Sequence, residues 1–339
     1  MNSAAPVAVF ERTAVDAQTF GGEVLQGRQP VVLRGQMAHW PSVAASVGGD
    51  HAAAEYLARF AGGKPLDVMI SQPSVKGRFF YADETLETFN FNRQQVPLDV
   101  LVRELLRLAE QNIEGPHALY ANSAEARHHL PGWEADNRMD LPVDNAPARL
   151  WIGNQTVVAT HYDTSFNVAC VVAGRRRFTL FPPDQLANLY VGPLDRTLAG
   201  PPTSLVDPEA PDLARYPRFA DAQKVMMVAD LGPGDAIFIP PLWWHHVRAI
   251  DRLNVLVNYW WDHQSGAAFL ALIHAVMSVR DLPIAEKTVF ENWYNHLVFS
   301  DEASKAADHL PESARSVLGP ASPGRTERLR SFLIAMLSR

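Results

Sequence analysis

His161 and Asp163 flank a single residue, Tyr162, and this His-x-Asp spacing occurs once in the chain. On an extended strand, residues two apart project to the same side, so an imidazole nitrogen and a carboxylate oxygen can meet at one ion. Far downstream, Gly234 and Asp235 open an apolar run from Ala236 to Ile239, which bends at Pro240-Pro241 into Trp243-Trp244-His245-His246. This segment brings an imidazole to the first pair from a distant strand. Neighbouring strand residues face opposite ways, so only one of His245 and His246 can join, and the residue types leave open which. Two imidazoles and one carboxylate on one side of a metal leave coordination positions free for reactants, the ligand set of non-haem Fe(II) oxygenases. The competing reading is two unrelated core histidines in a β sandwich. It suits either histidine alone better than it suits both in this order.

The elements around these residues favour a β framework. From about 148 to 262, β-branched and aromatic runs dominate: Asn167–Ala173, Arg177–Phe181, Ala236–Ile239 and Leu253–Trp260. Turn residues separate them, notably Pro182-Pro183 and Gly232 to Asp235. Many short strands without intervening helices predict an antiparallel sandwich or barrel. Upstream lies a mixed α/β region. Pro30 to Gly35 reads as a strand, and Pro97 starts a helix in which Leu98, Leu101, Val102, Leu105 and Ala109 recur at helical spacing. Downstream, Phe269, Leu272, Ile273, Val276 and Met277 form one helical stripe, and Leu329, Phe332, Leu333, Met336 and Leu337 form another. Each stripe needs a cover, either the barrel or a second subunit. These patterns divide the chain into a domain over 1–265 and a helical segment over 266–339.

Composition sets the limits. The 339 residues are 47% hydrophobic, enough for a full core, and the net charge of -7 argues against a general nucleic-acid binder. Cys170 is the one cysteine, which excludes an internal disulfide framework and suits a reducing, cytoplasmic setting. It reads as a small core residue. The first residues lack a basic start followed by a long apolar run, and no stretch approaches a membrane span, so neither a signal peptide nor membrane insertion is expected. His128, His129 and His263 lack partners at ligand spacing, and Trp243 and Trp244 read as packing residues.

Beyond the metal pieces, the chain resembles the JmjC/cupin-like Fe(II)/2-oxoglutarate oxygenases, in particular the asparaginyl hydroxylase branch that acts on hypoxia-inducible factor. The likeness rests on Pro30 to Gly35 with Trp40-Pro41, Leu180 to Gln185, Asn188-Leu189-Tyr190, Tyr216-Pro217 and Val257-Asn258-Tyr259-Trp260, in family order over about residues 28 to 262. It implies a double-stranded β-helix, or jelly roll, mainly β with α, having an N-terminal α/β surround and C-terminal helices. It implies His161, Asp163 and His245 as ligands of Fe(II), with 2-oxoglutarate as co-substrate, decarboxylated to succinate. It implies Arg176 for the far carboxylate, two places after Gly174 where the family usually has lysine. Tyr120, Asn167 and Asn258 would line the co-substrate site, and Asn122 and Trp260 the substrate pocket. Arginine carries the lysine charge but is longer and planar. Where the relative has a threonine three residues before the first ligand, this chain has Val158, which lacks the hydroxyl. The branch also implies a homodimer through the C-terminal helices.

Strand alternation places Arg176 on the face opposite Arg175 and Arg177, and the resemblance turns Arg176 inward. The expected function is hydroxylation of a peptide side chain or small molecule. The alternative is a metal-binding cupin-like protein that holds a ligand or peptide without oxygenase turnover, which the arginine and valine departures motivate.

Overall fold

The computed structural model describes residues 6–111, 115–198, 200–261 and 264–337. His263 lies outside the described residues. Seven strands form the surround: β1 (Val7–Ala8), β2 (Phe10–Thr13), β3 (Val31–Arg34), β4 (Leu66–Ser71), β5 (Arg78–Phe79), β6 (Phe91–Val96) and β7 (Ala118–Glu125). Eight more form the centre: β8 (Arg149–Gly153), β9 (Val157–Tyr162), β10 (Phe166–Ala173), β11 (Arg176–Phe181), β12 (Met227–Leu231), β13 (Ala236–Ile239), β14 (Trp244–Ala249) and β15 (Asn254–Trp261).

The central strands pair in a nested way. The first pairs with the last, β8 with β15; the second with the second last, β9 with β14; then β10 with β13 and β11 with β12, all antiparallel. They divide between two sheets, with β12-β11-β14-β9 in the smaller and β13-β10-β15-β8 in the larger. This is the double-stranded β-helix. The surround strands extend both sheets: β1 and β5 flank the smaller, while β2-β3 and β7-β4-β6 lengthen the larger.

Side-chain alternation explains why the central strands are so apolar. On β10 all eight residues are buried. Val168, Cys170 and Val172 pack outward with Phe20, Trp40, Leu57 and Trp133 of the surround, while Ala169 and Val171 pack into the barrel with Phe178, Leu180, Ile237 and Leu256. A sheet covered on both faces reads as a continuous hydrophobic run rather than as alternation. Cys170 is a fully buried thiol, pushed up by desolvation.

The helix Leu98–Glu110 lies on that outer cover, burying Leu98, Leu101, Val102, Leu105 and Leu108. Leu108 takes the inward position that the spacing assigns to Ala109, which is only half-buried. Gly174, which turns the chain from β10 to β11, has φ +70°, and a Cβ there would meet the Asn254 side-chain oxygen at 2.4 Å. Only glycine suits that conformation and that approach.

The chain divides into two compact units, Met1–Ala267 and Ala268–Arg339. The second carries the helices Ile284–Tyr294 and Pro323–Leu337. Among the described residues, no helix is long and apolar enough to cross a membrane.

Candidate metal centre

The antiparallel register of β9 and β14 sets His161 directly opposite His245. Their ring centroids stand 4.3 Å apart. Asp163 sits just past the end of β9, where its backbone carbonyl accepts from the Leu242 amide at 2.8 Å, tying it to the proline-rich bend before β14. One carboxylate oxygen of Asp163 lies 3.6 Å from Nε2 of His245. Ligand atoms of His161, Asp163 and His245 all fall within 4.8 Å of one another.

The imidazoles are oriented alike. Nδ1 of His161 is 2.9 Å from the Ala159 carbonyl, and Nδ1 of His245 is 3.1 Å from the Trp243 carbonyl. A carbonyl only accepts, so each Nδ1 carries a proton and Nε2 is the ring nitrogen left to face the other ligands. Burial, then repulsion from His161, holds His245 neutral, with its pKa lowered to about 4. Two Nε2 atoms and a carboxylate oxygen, converging in a half-buried place with the second ring nitrogens already engaged, are a donor set that suits a divalent transition metal.

The register also separates the histidine pair. His245 and Val247 line the cavity around the triad, and His246 turns to the opposite face of β14. There His246 is buried, its two ring nitrogens have no hydrogen-bond partner among the described residues, and burial lowers its pKa to about 4. Asp207 and Glu209 lie close enough to form a second cluster with it. Their charges are already met, Glu209 by Arg248 and Asp207 by Arg78 at 3.6 Å. A further cation there would have to displace two guanidiniums.

Arg176 enters the same cavity from β11 and is 1% exposed. Its flanking arginines point out to solvent-side carboxylates: Arg175 pairs with Asp251 at 2.8 Å, and Arg177 with Asp230 at 2.7 Å. Arg176 has no carboxylate within 4 Å among the described residues, and its Nε has no partner. It donates from Nη2 to the Trp151 carbonyl at 3.3 Å and shares the cavity with the Tyr120 phenol. Burial lowers its pKa, yet a guanidinium stays charged in a protein. A buried charge without a counter-charge is costly, and Arg176 faces the cavity that the triad lines.

Tyr120, Asn122, Asn167, Asn258 and Trp260 all line this cavity, and so does Val158, which adds an apolar wall. Asn167 donates to Asp163 at 3.3 Å, and Asn258 donates to Asn167 at 3.3 Å. Trp244 packs on Tyr162 on the other face of its strand. His128 is exposed and His129 half-buried, and neither lines the cavity around the triad. Sequence reasoning overlooked Trp151, whose indole donates to Asn258 at 2.6 Å, and the aromatic wall of Phe79 stacked on Tyr120. The one signal for Trp151 is a donor-bearing aromatic at the inward alternation of β8.

The two buried histidines set an acid limit on the metal-free protein. In the folded chain each takes its proton near pH 4, against 6.5 when exposed. Between these values the unfolded chain binds more protons, so stability rises with pH, by up to about 1.4 kcal/mol per unit for each histidine. Urea melts of metal-free protein at pH 7.5, 6.5 and 5 are expected to show a midpoint that falls only below about 6.5, and His246→Phe is expected to lessen the fall. A stability that stays flat down to pH 5 would show these rings to be protonated, or accessible, in the fold.

A profile of the cupin-like domain matches residues 17–267. Lysine-specific demethylase JMJ31 of Arabidopsis thaliana is 34% identical over 158 residues, covering 47% of this chain and 25% of that protein. Lysine-specific demethylase 8 of Xenopus tropicalis is 27% identical, covering 72% of this chain and 50% of its own length. The tRNA wybutosine-synthesizing protein 5 of Gallus gallus is 26% identical, with 74% of this chain and 75% of that protein covered. The chain thus spans a quarter to a half of the two demethylases. The His-x-Asp and distant His triad is typical of Fe(II) sites in JmjC 2-oxoglutarate oxygenases. The nested eight-strand barrel, the triad held between its second and seventh strands, and a match running from the surround through β15 have one common account: the chain belongs to the cupin-like domain family.

Proposed function

We propose that this protein is an Fe(II)- and 2-oxoglutarate-dependent oxygenase that hydroxylates a side chain of a protein or peptide, or a small molecule. One observation carries the reading: a fully buried guanidinium, Arg176, lacks a carboxylate partner among the described residues in the cavity lined by the triad. A dicarboxylate reaching from the triad to Arg176 would satisfy both. When bound, Fe(II) and 2-oxoglutarate supply dioxygen activation coupled to decarboxylation to succinate. The chain's residues do the rest. His161, Asp163 and His245 would hold the metal, and Arg176 with the Tyr120 phenol would hold the far carboxylate. Phe79, Val158 and Leu256 give an apolar wall that excludes water. Asn122 and Trp260, which line the same cavity, would meet the substrate.

The likeness to the asparaginyl hydroxylase branch belongs to this proposal, as does the choice of substrate. The relatives' names span lysine demethylation and tRNA modification. The net charge of -7 supports a substrate other than bare nucleic acid. A cytoplasmic setting is part of the same reading. Val158, in the place of a hydroxyl donor, favours the second reading: a cupin-like protein that binds metal and a ligand without turnover.

Iron-loaded protein is expected to convert 2-oxoglutarate to succinate, and His161→Ala or Asp163→Ala to reduce this to background with the fold retained. Full turnover in either variant would discard the ligand assignment, and absence of turnover in the wild type would favour the binder. Arg176→Ala removes a charge-assisted pair worth about 2 kcal/mol, so the KM for 2-oxoglutarate is expected to rise roughly 30-fold. An unchanged KM would move the carboxylate clamp elsewhere.

The C-terminal unit leaves Ile284 80%, Met277 79%, Phe299 73% and Trp293 63% exposed. We propose that these helices form a homodimer, since apolar surface of this extent marks association sites. Sedimentation equilibrium is expected to give twice the chain mass, and Trp293→Glu to shift it toward monomer. A monomer at all concentrations would reject this.

A further inference from the structure

We propose that Trp151 is a positioning residue that fixes the polarity of the hydrogen bonds supporting the metal carboxylate, and ties that carboxylate to the anion clamp. This rests on the proposed metal site. A single line of bonds runs from the indole to Asp163. Trp151 Nε1 donates to Asn258 Oδ1 at 2.6 Å, Asn258 Nδ2 to Asn167 Oδ1 at 3.3 Å, and Asn167 Nδ2 to Asp163 Oδ2 at 3.3 Å. Asn258 and Asn167 are 3% and 4% exposed, so water does not substitute freely for either partner.

The polarity of this line follows from its ends. An indole N–H can only donate, and an ionised carboxylate can only accept. A side-chain amide can do either and can flip. With a donor at one end, the Asn258 carbonyl must face Trp151, which turns its NH2 to Asn167, which turns that NH2 to Asp163. Without the indole hydrogen, the Asn258 amide loses the partner that selects its orientation. The oxygen that receives the last bond is the one 3.6 Å from His245 Nε2, so the line ends on the ligand side of Asp163.

The same residue touches the other end of the cavity. The Trp151 carbonyl accepts from Arg176 Nη2 at 3.3 Å. Its ring is held between Tyr120, at 5.8 Å, and Trp260, at 5.7 Å between centroids. Trp151 therefore meets the anion clamp through its backbone and the metal carboxylate through its side chain, two contacts that substitution can separate.

Trp151→Phe keeps the carbonyl and most of the ring and removes the N–H. Titration of the metal-free protein with Co2+ alone, followed by its visible absorption, is expected to show affinity falling about 10-fold, the scale for loss of a bond supporting a ligand. The KM for 2-oxoglutarate in the iron-loaded protein is expected to stay within about twofold, because the bond to Arg176 remains. In an Asn258→Ala background, Trp151→Phe is expected to cause no further loss of Co2+ affinity, since the line is already cut. Unchanged Co2+ affinity in Trp151→Phe overturns the proposal. So does an undiminished loss in the Asn258→Ala background, or a KM that rises in step with the lost affinity, since either outcome marks the ring as packing. Should Trp151→Phe not fold, Asn258→Asp makes the same test: it keeps an acceptor for the indole and removes the donor to Asn167, and unchanged Co2+ affinity there is equally fatal. If the folded wild type takes up no Co2+, the proposed function fails first. If it takes up Co2+ and only the Trp151 effects are missing, that function stands and this inference alone falls.

Discussion

A positive charge that cannot leave, enclosed with no negative charge beside it among the described residues, organises this protein. Arg176 is held by one backbone carbonyl, while its two chain neighbours each have a carboxylate at the surface. Strand alternation forces that division, because a one-residue slip of β11 would exchange the buried guanidinium for an exposed one. Gly174 guards against the slip: its left-handed turn, pressed against Asn254, pins where β11 begins. The cavity thus has a guanidinium at one side and two imidazoles with a carboxylate at the other.

The register of β9 against β14 has the same standing for the metal side. It decides which of two adjacent histidines faces His161, a choice that one residue of shift would reverse. His246 shows what the discarded alternative looks like: an imidazole of similar burial and similarly depressed basicity, facing carboxylates already taken by arginines. Depressed basicity alone therefore does not distinguish a ligand from a packed side chain. The difference lies in whether the lone pairs converge.

Much of this was legible in the residues. The period of two places His161 and Asp163 together, and the glycine turn, apolar strand and bend before Trp243 deliver the remote imidazole. The β character of about 148 to 262 follows from its branched and aromatic runs, and the double-stranded β-helix is the fold observed. Other parts depend on pairings no local pattern carries. Trp151 matters because β8 lies beside β15, which brings its indole to Asn258, and that adjacency joins the first and last of the central strands. Ala109 against Leu108 is a smaller case, where two neighbours compete for one inward position and the larger side chain takes it.

The nested pairing has a consequence for how the protein is made. Because β9 waits for β14, and β8 for β15, neither half of the ligand set can close while the latter half of the barrel is still emerging from the ribosome. Contacts so remote in sequence form late and slowly. His161 and Asp163 are synthesised well before the strand that faces them, so the three side chains can come together only once β14 has paired with β9.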